Sequence, residues 1–103
     1  MELRQLRYFV RVVEAGSIGR AAMSIGMVTS ALSQQISRLE GELSTRLLQR
    51  SASGVVPTDA GLAFFRQAQL ALRHADDAVQ ARPREATPFQ DGDVTVVSRA
   101  LSL

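Results

Sequence analysis

The sequence contains no cysteine, no lysine and a single histidine, His74. Without cysteine there are no disulfides and no thiolate metal sites, which agrees with a reducing compartment. One histidine among scattered carboxylates makes no metal cluster. A catalytic triad would need Asp59, Asp76 or Asp77 beside His74 and an exposed serine across it. Asp77, three residues along the same helix, reads instead as a surface partner of His74. No glycine-rich phosphate loop is present. No apolar run approaches the roughly 18 residues that suggest a membrane span. Met1-Glu2-Leu3-Arg4 opens directly into amphipathic sequence, without the basic-then-apolar pattern of a signal segment. The expectation is a cytoplasmic protein that is not an enzyme, with no cofactor, no metal and no membrane partner.

The 103 residues suffice for one small domain, and 46% of them are apolar, so the whole chain should not be disordered. So short a chain buries a modest fraction of its surface and gains from a partner. Twelve arginines face ten acidic residues, for a net charge of +2. Residues 1–50 carry seven arginines against four acids, and residues 76–103 carry three against five. Basic charge therefore gathers where a nucleic-acid surface would need it.

Leu3, Leu6, Phe9, Val10 and Val13 recur at helical spacing and predict a first helix ending near Gly16. Ser17 reads as the N-cap of a short second helix, Ile18 to Ile25, in which Ala21 and Ala22 permit close helix approach. Gly26 and Met27 interrupt the pattern as a tight turn would. A third helix is expected from about Val28 to Glu40, with Leu32, Ile36, Leu39 and Leu43 as its apolar stripe. A short helix, a tight turn and a second helix form the pattern of a helix-turn-helix. Leu47 to Gln49 and Val55-Val56, separated by the turn Ser51 to Gly54, predict a small hairpin, a wing packed beside the helices. Thr58 is placed to cap a long fourth helix from Asp59 to Gln80 or Arg82, with Gly61 tolerated at some cost in helix propensity. That helix is apolar on more than one side. Leu62, Phe65, Leu72 and Val79, with Gln69 among them, form the expected dimerisation face; Phe64, Ala68, Ala71, Ala75 and Ala78 form the other. One side can pack on the domain, and the other needs the same helix of a second copy. Pro83 ends the helix, residues 83–93 have linker composition, and Val94 to Val97 could be a strand. Residues 84–103 are expected to be mobile.

If Leu32, Ile36 and Leu39 point inward, then Thr29, Ser30, Ser33, Gln34 and Ser37 lie toward the other face. Such side chains read base edges when a helix enters the major groove. The face is short of the Lys and Glu that mark an ordinary solvated helix. Thr29 and Ser30 also stand at the helix start, where N–H groups favour a phosphate. Arg38 suits a phosphate or a base edge. Arg50, at the tip of the first wing strand, is expected on phosphates or in the minor groove. Ser17 and Thr58 are caps first and phosphate contacts second. Arg4 shares a helix face with Arg11 and is a further phosphate candidate. Glu40 and Glu42 should face away from DNA. Single-stranded RNA reading usually needs an aromatic platform, and Phe9 is expected in the core.

The order of motifs resembles the N-terminal domain of LysR-type transcriptional regulators from Met1 to about Val79. The resemblance is carried by Leu3-Arg4-Gln5-Leu6-Arg7-Tyr8-Phe9, by Glu14-Ala15-Gly16-Ser17 with Ala21-Ala22, and by Ala31-Leu32-Ser33-Gln34-Gln35-Ile36 with Leu39-Glu40. Leu47-Leu48-Gln49-Arg50 and Val56-Pro57-Thr58-Asp59-Ala60-Gly61 complete it. Five ordered motifs are far more specific than one helix-turn-helix. The resemblance implies a mainly α fold with a small β-hairpin: a winged helix-turn-helix at 1–58, a linker or dimerisation helix at 59–82, and at 83–103 a hinge and the first strand of an effector-binding domain. It implies double-stranded DNA as partner, a homodimer through the linker helix, a tetramer for a full-length protein, and a small-molecule effector only in the domain beyond. It also places Ser33 on the groove-reading face and Arg50 on DNA. Departures are Val28, Thr29 and Ser30 where the family usually has Ser-Gln-Pro, Ile18 and Ile25 where phenylalanine and leucine are common, and Gln34 where many relatives carry arginine. Valine cannot cap, so either Thr29 or Ser30 caps one residue later and shifts the helix start, or the start frays. A chain ending soon after the hinge also suits a truncated regulator that acts by mixed dimerisation with full-length relatives.

Overall fold

A computed structural model describes residues 1–81 of the chain. The expected hinge at 83–103, with its strand at Val94 to Val97, lies outside the described residues. Four helices and a hairpin follow in the order α1 (Leu3–Ala15), α2 (Ile18–Ile25), α3 (Thr29–Leu43), β1 (Leu48–Ser51), β2 (Gly54–Pro57) and α4 (Asp59–Gln80).

Local chemistry sets most boundaries. Gly16 and Gly26 end α1 and α2 in the left-handed conformation, at φ 68° and 71°, which glycine adopts without steric cost. The Ser17 hydroxyl accepts the Arg20 N–H at 3.2 Å and starts α2. The Thr58 hydroxyl accepts the Gly61 N–H at 3.0 Å and starts α4. The third helix is different. It begins at Thr29 with Val28 in the cap position, and no side chain caps it. The expected shift of the cap to Thr29 or Ser30 does not occur; the first N–H groups of α3 are left without a side-chain acceptor. The helix also runs beyond Glu40, to Leu43, before Ser44 ends it at φ 49°. Leu43 is 37% exposed, so the apolar stripe ends at Leu39.

The main core joins α1, α2, α3 and the wing through Phe9, Val12, Ile18, Ala21, Leu32, Ile36, Leu39, Leu47 and Val55. A second cluster, Leu6 and Val10 with Ala68 and Leu72, seats α4 on α1, and Phe64 and Phe65 pack against both clusters. Phe9 and Phe64 meet edge to face, with ring centroids 5.3 Å apart. The wing is a two-stranded antiparallel hairpin in which Arg50 opposes Val55 and Ser51 opposes Gly54.

Candidate nucleic-acid interface

The wing alone is too small to hold its own position. Three contacts hold it. One carboxylate oxygen of Glu40, in the penultimate turn of α3, accepts the backbone N–H of Leu47 at 2.7 Å and of Leu48 at 3.1 Å. Charge-assisted bonds of this kind are about twice as strong as neutral ones. The Val55 N–H donates to the Gly16 carbonyl at 3.0 Å, tying the returning strand to the α1–α2 turn. At the base of the hairpin, Thr58 donates its N–H to the Leu47 carbonyl at 3.0 Å and its hydroxyl to the Arg46 carbonyl at 2.7 Å. Two glycines allow the close approach. A Cβ at Gly61 would overlap the Leu47 carbonyl, and one at Gly54 would overlap the Gly16 carbonyl.

Held in this way, the wing presents Arg50 to α3. Its Nη2 donates to the Ser33 hydroxyl oxygen at 2.9 Å, across 17 positions of sequence. Ser33 lines a shallow recess of about 470 Å³ on the outer face of α3, together with Ser30, Ala31, Gln34 and Ser37. Thr29, Ser30, Gln34, Ser37 and Arg38 are exposed, and Ser33 is half-buried. Four of the five residues expected to read bases thus share one surface with the wing arginine, and Thr29 stands exposed at its leading end. The uncapped N–H groups of the first turn of α3 open at the same end, an electrostatic setting that favours a phosphate.

The remaining candidates distribute differently. Ser17 is half-buried, beside the Gly16 carbonyl that holds the wing, and its hydroxyl oxygen caps α2. Thr58 departs from expectation. Both of its donors are committed inside the chain, so none is left for a phosphate oxygen. Arg4 pairs with Glu2 at 3.1 Å, and the chain's amino terminus pairs with Glu42 in the last turn of α3. Arg4 therefore lies toward the end of α3 opposite Thr29 and Ser30, away from the Ser33–Arg50 pair. Glu40 does not line the recess, but it stands two turns beyond Ser33 on the same side of α3 and has a task there that charge reasoning missed. The available signal was a carboxylate in a helix shortly before a strand whose first N–H groups need acceptors.

The long helix also divides differently from its expected faces. Leu72 is 9% exposed and packs on Leu6 and Val10 of its own chain, and Phe65 is half-buried against the same helix. Burial within the chain removes Leu72 from the expected pairing face. Leu62, Leu70 and Val79 are 39%, 43% and 56% exposed, and Gln69 is exposed beside Leu62 and Leu70, whereas Val79, seven residues beyond Leu72, lies on Leu72's side of the helix. An exposed ion pair, Arg7 to Asp76 at 3.1 Å, spans α1 and α4. Pairs this exposed contribute at most about 1 kcal/mol.

Two helices joined by a tight turn, a hairpin beside the second and a long helix behind them make a winged helix-turn-helix with an extended helix, an architecture that binds DNA. Residues 3–62 match the model of the bacterial regulatory helix-turn-helix proteins of the lysR family, and the chain belongs to that family. It is a DNA-binding regulatory domain rather than an enzyme. It is 45% identical over 78 residues to the nitrogen assimilation regulatory protein nac of Escherichia coli K12, covering 76% of this chain and 26% of that protein. It is 49% identical over 80 residues to the transcriptional regulator BudR of Raoultella terrigena, covering 78% and 28%. The chain thus spans about a quarter of the length of these curated relatives. Among solved structures, the BenM DNA-binding domain in complex with benA site 1 DNA superposes with a TM-score of 0.80 at 40% identity, covering 86% of this chain and all of that one.

Proposed function

We propose that this chain reads a specific double-stranded DNA sequence as a dimer, within a bacterial transcription regulator acting in the cytoplasm. Residues 1–58 form the reading unit and residues 59–82 the pairing helix. The outer face of α3 enters the major groove, where Ser30, Ser33, Gln34 and Ser37 meet base edges and Thr29 approaches the phosphates at the helix start. Arg38 and the wing add cationic contacts to the backbone or the minor groove. One observation carries the reading: the wing arginine and the hydroxyl-rich face of α3 meet at 2.9 Å, so the two parts form one continuous surface. Pairing is assigned to Leu62 and Gln69, seven residues apart on one side of α4, and to Leu70, which the exposure of α4 adds; Val79, nine residues from Leu70, stands on the opposite side of the helix. Residues 83–103 are assigned to a hinge toward an effector-binding domain, in which a tetrameric full-length protein would take its small-molecule signal.

The test is a titration of the chain against a labelled duplex carrying an interrupted palindrome from the DNA just upstream of its own gene. Fluorescence anisotropy is read at several salt concentrations, with a scrambled duplex as control. The expected result is salt-dependent binding that prefers the palindrome. A folded sample that binds neither duplex, yet forms mixed dimers with a full-length relative, would replace DNA reading by interference through the pairing helix.

A further inference from the structure

We propose that Arg50 fixes the hydrogen-bonding sense of Ser33, and that the pair selects a keto base, guanine or thymine, over an amino base at one position of the major groove. The inference rests on the DNA-reading assignment above. A serine hydroxyl is ordinarily ambiguous as a reader. It has one hydrogen to give and two lone pairs to receive, so it can meet a base acceptor or a base amino group.

The surroundings of Ser33 remove much of that ambiguity. The guanidinium of Arg50 has donors only and stays charged at any ordinary pH. The 2.9 Å contact between Arg50 Nη2 and Ser33 Oγ therefore makes the serine oxygen an acceptor. Its hydrogen must point elsewhere. A serine inside a helix often returns that hydrogen to a carbonyl of the preceding turn. Ser24 does so, donating to the Ala21 carbonyl at 2.9 Å. Ser33 makes no such bond among the described residues; its hydroxyl borders the recess formed with Ser30, Ala31, Gln34 and Ser37. A hydroxyl that accepts from a cation also becomes a stronger donor, because the two bonds polarise each other. The positive charge behind it repels the partly positive hydrogens of an amino group and attracts a carbonyl oxygen. In the major groove, guanine O6 and thymine O4 are carbonyl oxygens at the places where adenine and cytosine carry the amino groups N6 and N4; the acceptor N7 is common to both purines, so the choice is made by a hydroxyl that meets the O6/N6 position. Arg50 is thus a positioning residue for specificity. The wing contributes to base choice through Ser33.

The experiment is a comparison of binding to half-sites randomised one base pair at a time, with the wild-type chain, Ser33→Ala, Arg50→Ala, Arg50→Lys and the double variant Ser33→Ala/Arg50→Ala. Both positions are partly or fully exposed, and matching far-UV spectra and melting curves verify that each variant folds. In the wild type, one base pair per half-site should favour guanine or thymine over adenine or cytosine by on the order of five- to tenfold. Ser33→Ala and Arg50→Ala should each flatten that preference at the same base pair, the double variant should flatten it no further, and Arg50→Lys should retain part of it. Arg50→Ala that weakens all sequences equally and leaves the Ser33-dependent preference intact would overturn the proposal. So would a Ser33-dependent preference for adenine or cytosine. A wild-type chain with no preference at any base pair would overturn the DNA-reading assignment itself and this inference with it.

Discussion

Replacing Gly61 by alanine should destabilise the domain, although the same change in an open helix stabilises one. In a solvent-facing helix, alanine for glycine gains about 1 kcal/mol. At Gly61 the added Cβ would overlap the Leu47 carbonyl oxygen and stand 2.8 Å from its carbon and 3.1 Å from its Cα. Those atoms are backbone and cannot swing aside. The Leu47 carbonyl is held by the Thr58 N–H at 3.0 Å, and the Leu47 N–H is held by Glu40 at 2.7 Å. Forcing a methyl group into a closed contact typically costs ~1–3 kcal/mol. Displacing the Thr58 bond adds about 1 kcal/mol. After the propensity gain, a net loss of roughly 1–3 kcal/mol remains. A domain of this size has a total stability of roughly 4–12 kcal/mol, so the melting temperature should fall by about 5–20 °C. Gly41→Ala is the internal control. Gly41 is exposed within α3, and nothing lies within 4 Å of its added Cβ. That variant should gain about 0.5–1 kcal/mol. Urea unfolding followed by far-UV circular dichroism at one fixed protein concentration measures both, since dimer formation makes stability concentration-dependent. If Gly61→Ala proves as stable as the wild type, the close approach of α4 to the wing base is not a constraint and the reasoning fails.

Glu40→Ala should cost about 2–3 kcal/mol by leaving two strand N–H groups without their carboxylate, and Glu40→Gln should restore part of the loss; equal stability of all three proteins in urea would deny Glu40 its bracing task. Leu72→Asp should destabilise the folded chain itself by about 3–5 kcal/mol, since it puts an unpaired charge among Leu6, Val10 and Ala68. Leu70→Asp, on the exposed side of α4, should leave the unfolding of dilute protein nearly unchanged while shifting sedimentation toward monomer. A Leu70→Asp protein that remains dimeric would move the pairing surface elsewhere on the helix. Val28→Ser should add the missing cap to α3 and stabilise it by about 1 kcal/mol, read again by urea unfolding; no gain would mean that a hydroxyl at this position cannot reach the first-turn N–H groups.

The sequence announces what is local. Ser17, Gly26 and Thr58 mark helix ends through chemistry that acts within four residues, and the structure places α2 and α4 where those residues put them. It is less clear about what is distant. The fourth helix is apolar on several sides, so periodicity calls for more than one partner without saying which side meets α1. Leu72, which periodicity groups with the pairing face, packs instead on Leu6 and Val10 of its own chain. Gly61 reads as a mild defect in a helix because its neighbour, the Leu47 carbonyl, is fourteen residues away and backbone atoms leave no pattern in sequence. Glu40 reads as an acid to be kept from phosphate, and its two N–H partners lie seven and eight residues ahead. The outward side of α3 is legible, because the buried stripe of Leu32, Ile36 and Leu39 fixes the opposite side of the helix by geometry alone.

These distant contacts converge on the same place. Glu40, Thr58 and Gly61 all act on residues 46–48, the root of the hairpin, and Gly16 and Gly54 secure its far strand. None of them faces the recess on α3. Their combined effect is to set where β1 begins and hence where Arg50, two residues along the strand from Leu48, comes to rest. A hydrogen bond of 2.9 Å between Arg50 and Ser33 tolerates displacement of only a few tenths of an ångström. The bond therefore depends on the bracing behind it. It follows that a change such as Glu40→Gln, which touches no candidate DNA contact, should loosen the Ser33-dependent base preference as well as stability. Gly41→Ala, which stabilises α3 without touching the hairpin root, should leave that preference alone. Stability and base preference separate in this pair of variants because only one of them alters the position of the wing.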